Sequence, residues 1–139
     1  MNTAEKAIIS QIIKASTVPS RPSFYVVGSH AKRVNFCSQQ IRAMNLIWAL
    51  THAGKLKQPS NVCVIGGGLS GLSAAAALVE KGFKPTIVEK NPEFLFDQRR
   101  STHRYIHPTA NFWPELAITP TTRLPYFEWA SGSCSEVME

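Results

Sequence analysis

The chain has 139 residues, which is about the length of one domain and enough to bury a single core. Hydrophobic residues make up 44% of it and charged residues 17%, a balance that excludes a disordered or fibrous chain. The net charge of +6 is spread over small separate groups of lysine and arginine without a nucleic-acid-binding motif, so we expect no nucleic acid partner.

The cysteines and the N-terminus indicate the compartment. Cys37, Cys63 and Cys134 are widely spaced and odd in number, which favours neither a disulfide framework nor a paired zinc motif. The N-terminus lacks the continuous apolar stretch of a secretory signal, and the longest nearly apolar run, residues 66–79, is shorter than a membrane-spanning helix requires. The sequence therefore predicts a cytoplasmic protein without a membrane span.

The first third of the chain predicts two helices and a strand. Residues 8–13 place four isoleucines at helical spacing, which predicts an amphipathic helix that ends before the prolines of residues 17–23. The apolar and aromatic residues 24–28 are typical of a strand. We expect Ser38 to cap a second helix that ends at Gly54.

A glycine-rich turn stands at the centre of the sequence. The apolar run at residues 61–65 predicts a strand of a parallel sheet with both faces covered by helices, and it makes Cys63 a small buried residue. The turn that follows consists of Gly66, Gly67, Gly68, Leu69, Ser70 and Gly71. In such a turn the first glycine permits the tight bend, the second fingerprint glycine (Gly68) lets the backbone approach a pyrophosphate, and the last lets the helix pack closely on the strand.

An acidic residue completes this unit. The alanine-rich helix of residues 69–81 ends at Gly82, residues 86–88 form a second parallel strand, and Glu89 follows at its carboxyl end. The distance from Gly66 to Glu89 is 23 positions (89 − 66 = 23), close to the spacing of about 20 at which a carboxylate binds a ribose hydroxyl. Because this carboxylate would repel a 2′-phosphate, NADP is disfavoured, while FAD and NAD remain open.

The pattern predicts an α/β Rossmann-like βαβ dinucleotide-binding domain with a parallel sheet, preceded by an N-terminal helical and strand segment. We assign residues 1–58 to that leading segment. Residues 59–139 then form the FAD/NAD(P)-binding unit and a proline-punctuated, loop-rich segment. The last residues, 131–139, predict a serine-capped first turn of a helix.

Residues 64–75, together with Glu89 and Lys90, resemble the N-terminal ADP-binding segment of FAD-dependent oxidoreductases. The resemblance implies FAD as the cofactor, Glu89 on the adenosine ribose, and Lys90 beside it. A weaker similarity on both flanks, to bacterial FAD- or NAD(P)-binding oxidoreductase-like proteins, points to Arg99 and Arg104 as pyrophosphate ligands. The alternative for these arginines is a solvated loop.

Two features of that family have no counterpart before Glu139. One is the threonine-rich strand ending in Gly-Asp that holds the ribityl side of FAD, and the other is the redox-active cysteine pair of the disulfide reductases. We therefore expect an incomplete domain whose flavin site is completed by a C-terminal continuation or a partner chain. The alternatives are a non-catalytic truncated module and an NAD-dependent enzyme. No substrate or catalytic residue can be named.

Two weaker signals remain. His103 and His107 lie four residues apart, but Pro108 breaks a helix there and no third ligand is visible, so we expect no metal site and a loop hydrogen bond for His107. The aromatic residues between positions 112 and 129 are expected to cover the edge of the core.

Overall fold

The computed structural model describes residues 1–28, 34–109 and 121–139. The helices in these ranges are α1 (Thr3–Ser16), α2 (Phe36–His52), α3 (Leu69–Glu80), α4 (Phe96–Arg99) and α5 (Cys134–Val137). The strands are β1 (Thr17–Val18), β2 (Arg21–Tyr25), β3 (Cys63–Ile65), β4 (Thr86–Val88), β5 (Tyr105–Ile106) and β6 (Gly132–Ser133).

Helix α1 confirms the predicted amphipathic helix, although its stripe is only partly buried. The Asn2 side chain accepts a hydrogen bond from the Glu5 N–H at 2.8 Å, and the Glu5 carboxylate accepts one from the Asn2 N–H at 2.8 Å. This capping box satisfies two N–H groups that a helix start leaves free. Of the isoleucines in this stripe, Ile9 is buried, whereas Ile8 is exposed.

Helix α2 begins earlier than predicted, because Asn35 is its N-cap and not Ser38. The Asn35 side chain accepts from the Ser38 N–H at 2.7 Å, and the Ser38 hydroxyl accepts from the Asn35 N–H at 3.0 Å. Ser38 therefore takes part in the cap from the third helical position. The end of the helix at Gly54, which has a φ of +66°, agrees with the prediction.

The strand predicted at residues 24–28 is displaced towards the N-terminus. Strand β2 pairs antiparallel with β1, and the chain reverses between them through Ser20 at a φ of +62°. Residues 26–28 continue beyond the pairing, held by a hydrogen bond from the Val26 N–H to the Ser16 carbonyl at 2.8 Å. The proline-containing stretch is thus a hairpin turn.

The βαβ unit predicted from the glycine-rich turn is present. Strands β3 and β4 are parallel, with Val64 opposite Ile87, and α3 connects them. Ala74, Ala75 and Leu78 of α3 pack with Val64 in a buried cluster, and α2 packs against the same helix. Gly82, at a φ of +81°, ends α3.

The prediction that both faces of this sheet are covered is wrong for the described residues. Val64 is buried towards α3, but Ile65 is 81% exposed and Val88 is 52% exposed on the other face. Cys63, predicted to be buried, is also exposed. Within the described ranges the sheet consists of β3 and β4 alone, and side chains on its second face are largely exposed.

The C-terminal part forms a second small cluster. Strands β5 and β6 pair antiparallel, and Ser133 caps α5 as predicted. The short helix α4 interrupts the segment that the sequence predicts to be rich in loops. Trp129 is buried, in keeping with a role at the core, whereas Phe112 and Trp113 lie outside the described residues.

Candidate functional site

The glycine-rich turn joins β3 to α3 and is anchored to both strands. Gly66 has a φ of +101°, a conformation that side chains disfavour, and its N–H donates to the Val88 carbonyl at 2.8 Å. A Cβ at Gly71 would lie 2.0 Å from the Gly66 carbonyl oxygen. Only a glycine at position 71 therefore lets the helix cross the turn at this distance.

Gly68 is different, because the packing of the protein places no demand on it. It is the N-cap of α3, at φ −77° and ψ 176°, and a Cβ there would meet no atom within 4 Å. The first N–H groups of α3, from Leu69 and Ser70 onwards, have no acceptor inside the helix. The space above Gly68 is thus open next to a group of free N–H donors, which is the arrangement that binds a phosphate.

Gly67 is explained by a residue that the sequence did not single out. A Cβ at Gly67 would lie 2.3 Å from Cδ1 of Phe94, and the Leu95 N–H donates to the Gly67 carbonyl at 3.0 Å. The segment after β4 therefore folds over the turn, with the Phe94 ring against it. One signal for this contact is visible in the sequence: position 67, where the fingerprint accepts any residue, is also a glycine.

Glu89 lies beside the turn, so the structure brings the two predicted parts of the site together. One carboxylate oxygen accepts a hydrogen bond from the Gly67 N–H, and the other accepts from the Asn91 N–H at 2.8 Å. The Asn91 N–H, followed by the Gly67 N–H, lowers the pKa of the Glu89 carboxyl below its usual range. An ionised carboxylate has about four acceptor positions, so two remain for ribose hydroxyls.

The two predicted arginine ligands make other contacts in the structure. Lys90 is exposed. The Arg99 guanidinium lies 3.8 Å from the Glu93 carboxylate, and Arg104 lies over the Phe36 ring, 5.3 Å from its centroid. None of these contacts involves the glycine-rich turn.

Metal and membrane features were sought in residues 1–28, 34–109 and 121–139. No group of three or more His, Cys, Asp or Glu side chains that could hold a metal ion occurs there. The Thr109 N–H donates to the His107 imidazole Nδ1 at 3.2 Å, as expected of a loop hydrogen bond. No helix in these ranges is both long and apolar enough to cross a membrane.

Similarity to known proteins is concentrated on this site. Residues 64–116 match the profile of the NAD(P)-binding Rossmann-like domain family. The FAD-dependent monooxygenase OpS4 of Beauveria bassiana is 51% identical over 41 residues, which are 30% of this chain and 10% of that protein. No solved structure gives a significant match. Residues 64–116 therefore resemble an NAD(P)-binding Rossmann-like domain, and 41 residues of the chain are similar to part of an FAD-dependent monooxygenase.

Proposed function

We propose that this chain binds the ADP moiety of FAD and is the N-terminal dinucleotide-binding part of an FAD-dependent oxidoreductase. The observation that carries the proposal is the open space above Gly68, at the start of α3, next to a turn that the Glu89 carboxylate joins. The similarity to an FAD-dependent monooxygenase over 41 residues supports FAD as the dinucleotide.

The pyrophosphate and the adenosine ribose of the ADP moiety each have a matching group. The pyrophosphate lies over Gly68 and accepts hydrogen bonds from the first N–H groups of α3, where the helix dipole favours negative charge. The remaining lone pairs of the Glu89 carboxylate accept hydrogen bonds from the adenosine ribose. The flavin, when bound, supplies the electron transfer, and the contribution of this chain is to bind and orient it.

Lys90, Arg99 and Arg104 belong to the proposal as additional cationic groups. The Arg99–Glu93 contact of 3.8 Å joins two side chains that are each nearly half exposed, and such surface pairs contribute at most about 1 kcal/mol. A pyrophosphate can therefore compete for the guanidinium, because a phosphate offers it two oxygens at once.

The second candidate is an NAD-binding chain, since the matching family is described as NAD(P)-binding. The third is a non-catalytic dinucleotide-binding module. A visible absorbance spectrum of the purified protein would distinguish FAD from NAD, because bound FAD absorbs visible light and bound NAD does not. The three cysteines are free and one is exposed, which supports a reducing, cytoplasmic compartment.

The test replaces Gly68 with Asp, with Gly68→Asn as the matched control. Both residues are preferred N-caps and the Cβ meets no neighbour, so both variants should fold. The Asp carboxylate, however, stands where the pyrophosphate binds. Calorimetric titration with ADP should give a dissociation constant raised about tenfold or more in Gly68→Asp relative to the wild type, and raised less in Gly68→Asn, which fills the same space without the negative charge. A wild-type protein that binds no ADP, or an Asp variant that binds it as well as the wild type does, contradicts the proposal.

A further inference from the structure

A cavity of 960 Å³ opens from the glycine-rich turn. One wall is β3 with its flanks, residues 60–66, and the opposite wall is the extended segment of residues 23–28. Side chains of α2 and α3, such as Ile47 and Leu78, form the floor, and Gly68 and Ser70 border one end. The volume falls within the range of about 300–1,000 Å³ that is typical of small-molecule sites.

The position of Glu89 indicates which half of a bound dinucleotide faces the cavity. Glu89 follows β4, so the adenosine end of a bound dinucleotide lies on the β4 side of the turn. None of the described residues of β4 borders the cavity, which runs along β3 instead. A dinucleotide with its ribose at Glu89 and its pyrophosphate over Gly68 therefore directs its second half towards the cavity.

The lining of the cavity favours a particular second half. Most of the described residues that border it are apolar, and Lys55 is the only charged one among them. The nicotinamide ring of oxidised NAD is a cation, and no carboxylate is present in this lining to pair with it. The oxidised isoalloxazine ring is neutral, and its reduced form is neutral or anionic, so a single lysine is compatible with both redox states.

We propose that this cavity receives the ribityl and isoalloxazine half of FAD, and that residues 23–28 form its outer wall. The inference rests on the proposed function at the glycine-rich turn. It adds a role for the N-terminal segment, which lies outside the family match at residues 64–116. The hydrogen bond from the Val26 N–H to the Ser16 carbonyl fixes this wall to the end of α1.

A bulky substitution in the cavity wall should weaken binding of FAD but not of ADP. Gly28 borders the cavity, its φ does not lie in the left-handed region, and a Cβ there would meet no atom within 4 Å, so Gly28→Phe adds a ring without a clash at its base. Its dissociation constant for FAD should rise about tenfold, while that for ADP stays within about twofold of the wild type. Gly28→Ser is the matched control and should keep both constants near the wild-type values.

Cys63 supplies a second measurement on the unmodified protein. It is exposed and borders the cavity, whereas Cys37 and Cys134 are buried, and burial raises the pKa of both of these thiols. Iodoacetamide should therefore alkylate Cys63 first, as located by peptide mass spectrometry. Saturating FAD should slow this alkylation about fivefold or more, because the ring covers the thiol, and saturating ADP should leave the rate unchanged.

The outcomes separate this inference from the proposed function. A protein that binds ADP, but whose Cys63 alkylation rate FAD leaves unchanged and whose FAD affinity Gly28→Phe does not alter, keeps the proposed function and overturns the cavity assignment. Equal losses of ADP and FAD affinity in Gly28→Phe also overturn it, because the added ring would then act on the turn. Failure of the wild type to bind ADP overturns both.

Discussion

The Glu89 carboxylate joins the end of β4 to the glycine-rich turn. It accepts hydrogen bonds from two backbone N–H groups, of Asn91 and Gly67, and both lower its pKa. The pKa of an unfolded glutamate is about 4.3. Since the folded value is lower, the ionised carboxylate stabilises the native state fully above that pH, and this contribution is lost as the pH falls through the folded pKa.

We expect Glu89→Gln to abolish this pH dependence. The difference in unfolding free energy between wild type and variant should be constant near neutral pH and should shrink as the pH falls below the unfolded pKa of about 4.3 and through the lower pKa of the folded carboxyl. Urea denaturation followed by tryptophan fluorescence across that pH range measures it. Glu80→Gln, at the exposed end of α3, reports the effect of removing a carboxylate that lacks these two backbone bonds. A difference that grows towards acid pH would show that the sign is wrong.

At the scale of the element, the fold of the start of α3 requires glycine at position 71 but not at position 68. Gly71→Ala should raise helix propensity by about 1 kcal/mol, yet its Cβ would lie 2.0 Å from the Gly66 carbonyl oxygen. Overpacking of this kind costs about 1–3 kcal/mol, so the steric cost should win and the variant should be destabilised. Gly68→Asn, in contrast, should change the unfolding free energy by only a few tenths of a kcal/mol. Denaturation midpoints at neutral pH test both, and a Gly71→Ala protein as stable as the wild type would show that the turn relaxes freely.

The elements that the sequence predicts well are those that depend on neighbouring residues. The turn at residues 66–71, helix α3 and the strand before Glu89 form a local unit, and their spacing alone was sufficient. The contact between Phe94 and Gly67 joins residues from different elements and has no local signature. Likewise, the apolar character of Ile65 predicts burial, but it does not say whether a neighbour in the described chain provides it. The displaced cap of α2 has another cause, since Asn35 and Ser38 are both competent caps and share one capping box.

At the scale of the whole molecule, α2 connects the described N-terminal and C-terminal parts. Gln40 is fully buried on this helix. Its side-chain oxygen accepts a hydrogen bond from the Trp129 indole N–H at 2.8 Å, and its amide donates to the Phe127 carbonyl at 3.1 Å. The same helix packs against α3, so a change at Gln40 acts on the segment that supports the candidate site.

Replacement of Gln40 by Leu should therefore destabilise the protein by about 2 kcal/mol, because it leaves the buried indole N–H and a carbonyl without partners. Gln11→Leu, at an exposed position of α1, is the control for the change of residue type. Trp129→Phe removes the indole donor, so in the Gln40→Leu background it should cost less than in the wild type, with a coupling of about 0.5–3 kcal/mol. Chemical denaturation of the four proteins of this cycle measures the coupling. Strictly additive effects would mean that the hydrogen bond between Gln40 and Trp129 contributes nothing to stability.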